Sequence, residues 1–181
     1  MRPGSKTLAA LWGFAEATLF FIVPDVFLTS VACRSLRKAL LACFIASLAA
    51  ALGGTLMWHC AVWFPNQAHQ LLLHVPGISD DTFARVEQLL QEGLYTGMLQ
   101  GAFSGVPYKT FAYSAGQSGV NPAVLFLLTP LVRLPRFLLL TCLAGGLSAF
   151  IGNRLSLAAK LAISLALWAV FYTFYFSAVG W

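Results

Sequence analysis

The chain has 181 residues, of which 59% are hydrophobic and only 9% are charged. Soluble domains carry roughly 25% charged residues, so this chain has too few charges to cover a water-facing surface, and a soluble enzyme is excluded. Its four cysteines all stand in apolar stretches, where cysteine acts as a small hydrophobe. They indicate neither a disulfide framework nor a metal cluster. The composition predicts an all-α integral membrane protein with a single transmembrane domain, 1–181.

The first apolar stretch, 7–33, differs from a simple membrane crossing. Glu16 and the pair Pro24-Asp25 interrupt it, and basic residues stand at both of its ends. Lysine and arginine favour the cytoplasmic side of a membrane, so both ends are expected inside. We therefore predict a re-entrant helical hairpin that is broken at Pro24.

The next two segments contrast in polarity. Segment 39–64 meets the requirement of about 20 apolar residues for a crossing. Region 65–92 is polar, but Phe83, Val86 and Leu90 recur in it at helical spacing. It is predicted to be an outer loop that contains an interfacial amphipathic helix.

The remaining segments repeat the pattern of a broken stretch followed by a crossing. Segment 93–119 is rich in glycine and contains Gly105 and Pro107, which predict the break of a second re-entrant hairpin. Segment 121–152 is long enough to cross but contains two internal prolines, and proline kinks or breaks helices. It is predicted to be a bent or broken crossing. Segment 160–179 is predicted to be a third, regular crossing.

The charges predict the topology. The outer loop 65–92 carries four acids against one base, Arg85. With three crossings, the positive-inside rule places the N-terminus in the cytoplasm, and the two hairpins enter from opposite sides. Paired broken segments of opposite orientation indicate an inverted repeat with a site near the midplane. The bases that fall inside, without any acid, are Arg2, Lys6, Arg34, Arg37, Lys38, Arg154 and Lys160.

Five ionisable residues remain at membrane depth, and each costs about 2.5–3.5 kcal/mol at the centre of a helix. If Glu16 pairs with Lys109 and Asp25 with one arginine, a cation is still left over. The excess positive charge predicts an anionic ligand, and purely structural pairing is the alternative. The five residues are Glu16, Asp25, Lys109, Arg133 and Arg136.

These residues suggest distinct roles. Arginine matches phosphate oxygens with two parallel hydrogen bonds, and a spacing of three places two arginines on one face of a helix. Glu16 is the predicted proton-coupling residue, because it is an acid in an otherwise apolar arm, and Asp25 is the second choice. The predicted substrate-binding residues are Arg133, Arg136, Lys109 and Tyr108. The predicted structural breaks of the hairpins are Pro24, Pro107 and Gly105.

Three stretches of the sequence combine the residues described above: FAEATLFFIVPD (Phe14 to Asp25), SGVPYKTFAYSAG (Ser104 to Gly116) and RLPRF (Arg133 to Phe137). Together they resemble the DedA family, also called the SNARE-associated or VTT-domain superfamily. The resemblance extends from Leu11 to about Gly152.

The resemblance implies a multi-pass protein of the bacterial inner membrane with two opposed re-entrant hairpins. Members are implicated in moving lipids such as undecaprenyl phosphate and phospholipids, in some cases with the proton gradient. The family's acidic residue falls on Glu16, and its arginines fall on Arg133 and Arg136. Two departures indicate a shorter branch: the arginines are only three apart, and GGTLMWHCAVWF replaces the usual pattern after the first crossing.

The function predicted from these residues is transport of a phosphate-bearing membrane lipid. The alternatives are a transporter of small ions or solutes, a lipid-modifying enzyme, and a membrane-homeostasis or assembly protein without transport. An enzyme is disfavoured because no nucleophile–base pair is present. The histidines His59, His69 and His74 lack metal-ligand spacing, and neither a metal nor another cofactor is predicted. Membrane lipids are the expected partners, nucleic acid is not, and a homo-oligomer remains open.

Overall fold

The computed structural model describes the backbone of residues 3–179 and the side chains of residues 5–177. Arg2, predicted to lie inside, falls outside the described residues. The described residues form helices and the turns that connect them, and they contain no β-strand. The helices are α1 (Pro3–Glu16), α2 (Asp25–Ala32), α3 (Leu36–Trp63), α4 (Pro65–Leu73), α5 (Asp80–Gln91), α6 (Leu94–Ser104), α7 (Tyr108–Gln117), α8 (Pro122–Ile151) and α9 (Leu157–Val179), with a 3-10 turn at Gly152–Arg154.

Three of these helices are long and apolar enough to cross a membrane. At 1.5 Å per residue, α3, α8 and α9 measure about 42, 45 and 35 Å, more than the ~30 Å hydrocarbon core. The predicted all-α fold with three helices able to cross a membrane is confirmed. Helix α8 is continuous through Pro130 and Pro135, so the broken form of this crossing is wrong. Each proline removes one backbone hydrogen bond, but the remaining hydrogen bonds of this long helix keep it continuous.

Helix α3 forms the centre of the fold because one side of it is built from small residues. Ala39, Ala42, Ala46 and Ala50 are fully buried, and α1, α7 and α8 all pack against this helix. Small side chains allow helix backbones to approach closely. At Gly13 of α1, an added methyl group would collide with the backbone of Ala46. The α1–α3 contact therefore depends on glycine.

Two pairs of short helices accompany the long ones. The first helix pair, α1 and α2, has arms of 14 and 8 residues, or about 21 and 12 Å. The second helix pair, α6 and α7, has arms of 11 and 10 residues, or about 17 and 15 Å. Each arm is shorter than the ~30 Å hydrocarbon core, so none of the four helices crosses it alone.

The non-helical segment 17–24 of the first helix pair is held by side chains from elsewhere in the protein. The Trp12 indole donates to the Ile22 carbonyl at 2.9 Å. The Val23 amide donates to the Tyr172 hydroxyl of α9 at 2.8 Å, and the Lys109 ammonium donates to the Phe20 carbonyl at 2.8 Å. At membrane depth, irregular backbone is tolerated only where protein or a cavity satisfies its polar groups. These three bonds satisfy part of that requirement.

The break in the second helix pair is shorter and depends on its own residues. Gly105 has a φ of +84°, a left-handed conformation that glycine adopts without a steric cost. The Val106 amide donates back to the Gly101 carbonyl at 3.2 Å. Pro107 then has extended backbone immediately before α7.

The polar region contains two helices, α4 and α5, rather than one. The Ser79 amide donates to the Thr82 hydroxyl at 3.1 Å at the start of α5, a capping-box arrangement. Phe83 and Val86 are buried together with Leu89, because α5 packs against α6 and α7. Its apolar face therefore covers the second helix pair instead of facing outward.

Candidate functional site

Two buried ion pairs connect α8 to the first helix pair. A guanidinium nitrogen of Arg133 lies 2.5 Å from a carboxylate oxygen of Glu16, with both side chains at least 93% buried. A guanidinium nitrogen of Arg136 lies 2.7 Å from an oxygen of Asp25, whose side chain is completely buried. Removing either partner of such a pair leaves an uncompensated charge in the interior. The pairs therefore fix how α8 packs against the first helix pair.

Helix α8 presents both arginines near its middle. Arg133 and Arg136 lie about 17 and 21 Å from the start of this 30-residue helix, near the midpoint of its length of about 45 Å. Their spacing of three keeps them on one face of α8, and the uninterrupted helix around Pro135 preserves that register. Arg136 also donates to the Ala102 carbonyl of α6 at 3.0 Å. It thus connects both helix pairs through α8.

Aromatic rings hold the guanidinium of Arg133. Its central carbon lies 5.0 Å from the ring centres of both Tyr108 and Phe137, within the range of cation–π attraction. The Tyr108 hydroxyl forms a hydrogen bond of 2.6 Å with the Thr129 hydroxyl, which fixes the position of the ring. Arg133 is therefore held by its ion pair and by two rings, and its buried Nε lacks a hydrogen-bond partner.

Lys109 occupies an unusual position for a lysine. Its side chain is among the most completely buried of the described residues, and its ammonium group donates to the Phe20 carbonyl. No salt bridge joins Lys109 to a carboxylate within the described part of the chain. The pairing of Glu16 with Lys109 considered from the sequence is not formed, because Arg133 takes that carboxylate. The cation in excess is Lys109.

A cavity of about 70 Å³ lies beside these groups. Its lining includes Glu16, Lys109, Arg133 and Arg136, together with the rings of Tyr108 and Tyr172. The space exceeds what one water molecule needs, and most of its charged lining is cationic. Chemically, the cavity suits a small anionic group that exchanges hydrogen bonds with the arginines.

The structure brings together all six residues predicted to bind substrate or couple protons. Asp25 participates through Arg136 and is not itself part of the cavity lining. Pro24 and Pro107 immediately precede α2 and α7, and Gly105 immediately follows α6. Among the described residues, no group of three histidine, cysteine, aspartate or glutamate side chains could hold a metal ion.

The sequence-based reasoning missed two residues of the site. Tyr172 stands in the aromatic run at the end of the last predicted crossing, and such rings are typical of the headgroup level. In the structure its hydroxyl instead accepts from the first break, and the residue lines the cavity. Thr129 fixes Tyr108 through its hydroxyl. The position of Thr129, four residues before Arg133, is a signal that could have placed it on the same face of α8.

Comparisons with protein-family models, curated proteins and solved structures return no match to this chain. The function of this protein is therefore inferred from the geometry of its site.

Proposed function

We propose that this protein transports a phosphate-bearing lipid, such as undecaprenyl phosphate or a phospholipid, across the bacterial inner membrane. The observation that carries the proposal is the cluster of Arg133, Arg136 and Lys109 beside a cavity halfway along α8. Three cations against two carboxylates leave one positive charge, and charge at this depth is costly unless it is paired or functional. A phosphate group would neutralise the excess.

The proposed mechanism is an exchange of partners. A phosphate that enters the cavity can accept two parallel hydrogen bonds from a guanidinium, competing with Glu16 for Arg133 and with Asp25 for Arg136. Tyr108 holds Arg133 in position through ring contact, and Lys109 contributes charge from beside the first break. When the phosphate leaves, the carboxylates pair with the arginines again. Glu16 and Asp25 are the residues proposed to couple this exchange to protons.

The packing of the short helices supports an inverted repeat as the framework for transport. Helix α2 packs against α8 as well as against α3, and α7 packs mainly against α3. Each helix after a break therefore contacts the long helix of the other half. This crosswise arrangement fits two opposed re-entrant hairpins around a shared site, the architecture in which transporters place substrates near the midplane.

The decisive experiment measures lipid movement in proteoliposomes that contain the purified protein. Lysine at both arginine positions, Arg133→Lys with Arg136→Lys, keeps the charges but loses the guanidinium fork. Loss of one charge-assisted hydrogen bond, about 1.5–3 kcal/mol, is expected to slow transport of a fluorescent phosphate-bearing lipid by about tenfold or more. Arg154→Lys, at an exposed position, is the matched control and should behave like the unchanged protein. Normal transport by the double-lysine variant would contradict the proposal.

A transporter of small anions is the second candidate, because a cavity of about 70 Å³ could hold a free anion as well as a headgroup. Proteoliposomes loaded with radiolabelled inorganic phosphate distinguish the two functions. Release of free phosphate without movement of the lipid favours the ion transporter. Movement of the lipid alone favours the proposed function.

The proposed topology makes its own prediction. Cysteine introduced at Asp80 should react with a membrane-impermeant maleimide in intact cells, and cysteine at Leu36 should react only after the cells are opened. The reason is the bias of the basic residues toward one side. The experiment uses a chain whose four native cysteines have been replaced by alanine. The opposite pattern of labelling would overturn the inside–outside assignment.

A further inference from the structure

A long apolar groove runs beside the charged cavity. It has a volume of about 680 Å³ and lies between α8 and α9, with α2 and α6 completing its walls. Leucines and alanine of α8 form one side, and Ile163, Leu167 and Phe171 of α9 form the other. Its size and composition suit a flexible hydrocarbon chain better than water.

Specific bonds define the position of α9 along this groove. The Lys160 ammonium donates to the Ser148 carbonyl at 2.7 Å, and the Trp168 indole donates to the Thr29 hydroxyl at 3.0 Å. Farther along, the Tyr172 hydroxyl accepts from the Val23 amide. Because these polar contacts anchor α9 at three heights, the space between α8 and α9 is a feature of the fold and not a local packing defect.

The groove runs along two helices of mostly apolar residues, and its lining includes Lys160 near the start of α9. Both α8 and α9 are long and apolar enough to cross a membrane. The groove extends along α8 from Arg136 to Ile151, about 22 Å at 1.5 Å per residue. One leaflet contributes about half of the ~30 Å hydrocarbon core, so the groove can take a lipid chain as long as a leaflet is thick.

The groove and the charged cavity meet at Arg136. Ala102, Gly105, Phe171 and Tyr175 line both spaces together with Arg136. A lipid with its phosphate at Arg136 can therefore extend a chain directly into the groove. We propose that the groove between α8 and α9 is the binding site for a hydrocarbon chain of the transported lipid. This inference rests on the proposed function and adds a tail site to its headgroup site.

The test uses a phosphatidic acid with a photoreactive diazirine in one acyl chain, added to the protein in nanodiscs. Illumination and peptide mass spectrometry should locate the crosslinks on 139–151 of α8 and 160–171 of α9. Ala144→Trp fills the groove, whereas Ala149→Trp adds the same ring to an exposed position of α8 that is not part of its lining. Ala144→Trp should reduce crosslinking at least about tenfold, because exclusion of two methylene groups from an apolar site already accounts for that factor.

A second pair of variants guards against misfolding of the first. Ser164→Trp on α9 fills the groove, and Ala166→Trp is its exposed control. Crosslinks spread evenly over the exposed faces of α3, or equal labelling of folded groove-filling and control variants, would each overturn the tail site.

Transport measured in parallel separates this inference from the proposed function. Crosslinks confined to the groove, in a protein that moves no lipid in proteoliposomes, support the tail site and contradict transport. Lipid movement without crosslinks in the groove supports transport and overturns the tail site.

Discussion

Replacing Arg133 by glutamine is expected to lower the free energy of unfolding by about 3–5 kcal/mol, the range found when one partner of a buried ion pair is removed. The carboxylate of Glu16 would remain buried without its guanidinium. The double variant Arg133→Gln with Glu16→Gln should be more stable than Arg133→Gln alone, because no unpaired charge is then left behind. Denaturant unfolding in detergent micelles measures these differences.

The structure specifically predicts that the destabilisation of the double variant is smaller than the sum of the two single effects. Glu16→Gln keeps an acceptor for Arg133 and should be the milder single substitution. Arg85→Gln removes an arginine from an exposed position of α5, where substitutions usually change stability by less than about 0.5 kcal/mol. If the costs of the two single substitutions add in the double variant, Glu16 and Arg133 do not act as a pair in the folded protein.

Hydropathy and proline positions predicted most of the framework. The three long helices follow from apolar length alone, and the short helices separate near Pro24 and Pro107, where proline restricts the backbone. Continuity of α8 could not be predicted, because a proline disrupts a helix locally while the neighbouring turns decide whether it persists. The packing of α5 against α6 and α7 could not be predicted either, because an amphipathic pattern does not specify whether protein or lipid contacts the apolar face.

The charged cluster was predictable as a group but not in its pairing. The cost of charge at membrane depth required that Glu16, Arg133 and Lys109 find partners. Which cation pairs with Glu16 depends on how α8 is rotated against α1. Glu16 and Arg133 are 117 residues apart in the sequence. Lys109 instead binds the backbone carbonyl of Phe20, an acceptor that every residue offers and that no side-chain pattern reveals.

Proton coupling gives the sharpest functional prediction, which concerns Glu16→Gln. Glu16 lines the cavity and is bonded to Arg133, so a phosphate that takes Arg133 deprives this carboxylate of its cation. A buried carboxylate without a cation is costly, so we expect Glu16 to take up a proton while a phosphate holds Arg133. We expect the proton to leave again when the phosphate departs and Arg133 pairs with Glu16. In this proposal, substrate exchange and proton exchange occur at neighbouring atoms.

Glutamine preserves the shape of Glu16 and an acceptor for Arg133 but cannot take up a proton. The unchanged protein should shift the distribution of a phosphate-bearing lipid by up to about tenfold per unit of imposed pH gradient, the equivalent of one coupled proton. Folded Glu16→Gln should move the lipid without responding to the gradient. Asp25→Asn, which alters the neighbouring pair with Arg136, should retain the response if Glu16 carries the proton. Loss of the response in Asp25→Asn alone would transfer the coupling role to Asp25, because the carboxylate that loses its cation during substrate exchange would then be the one paired with Arg136.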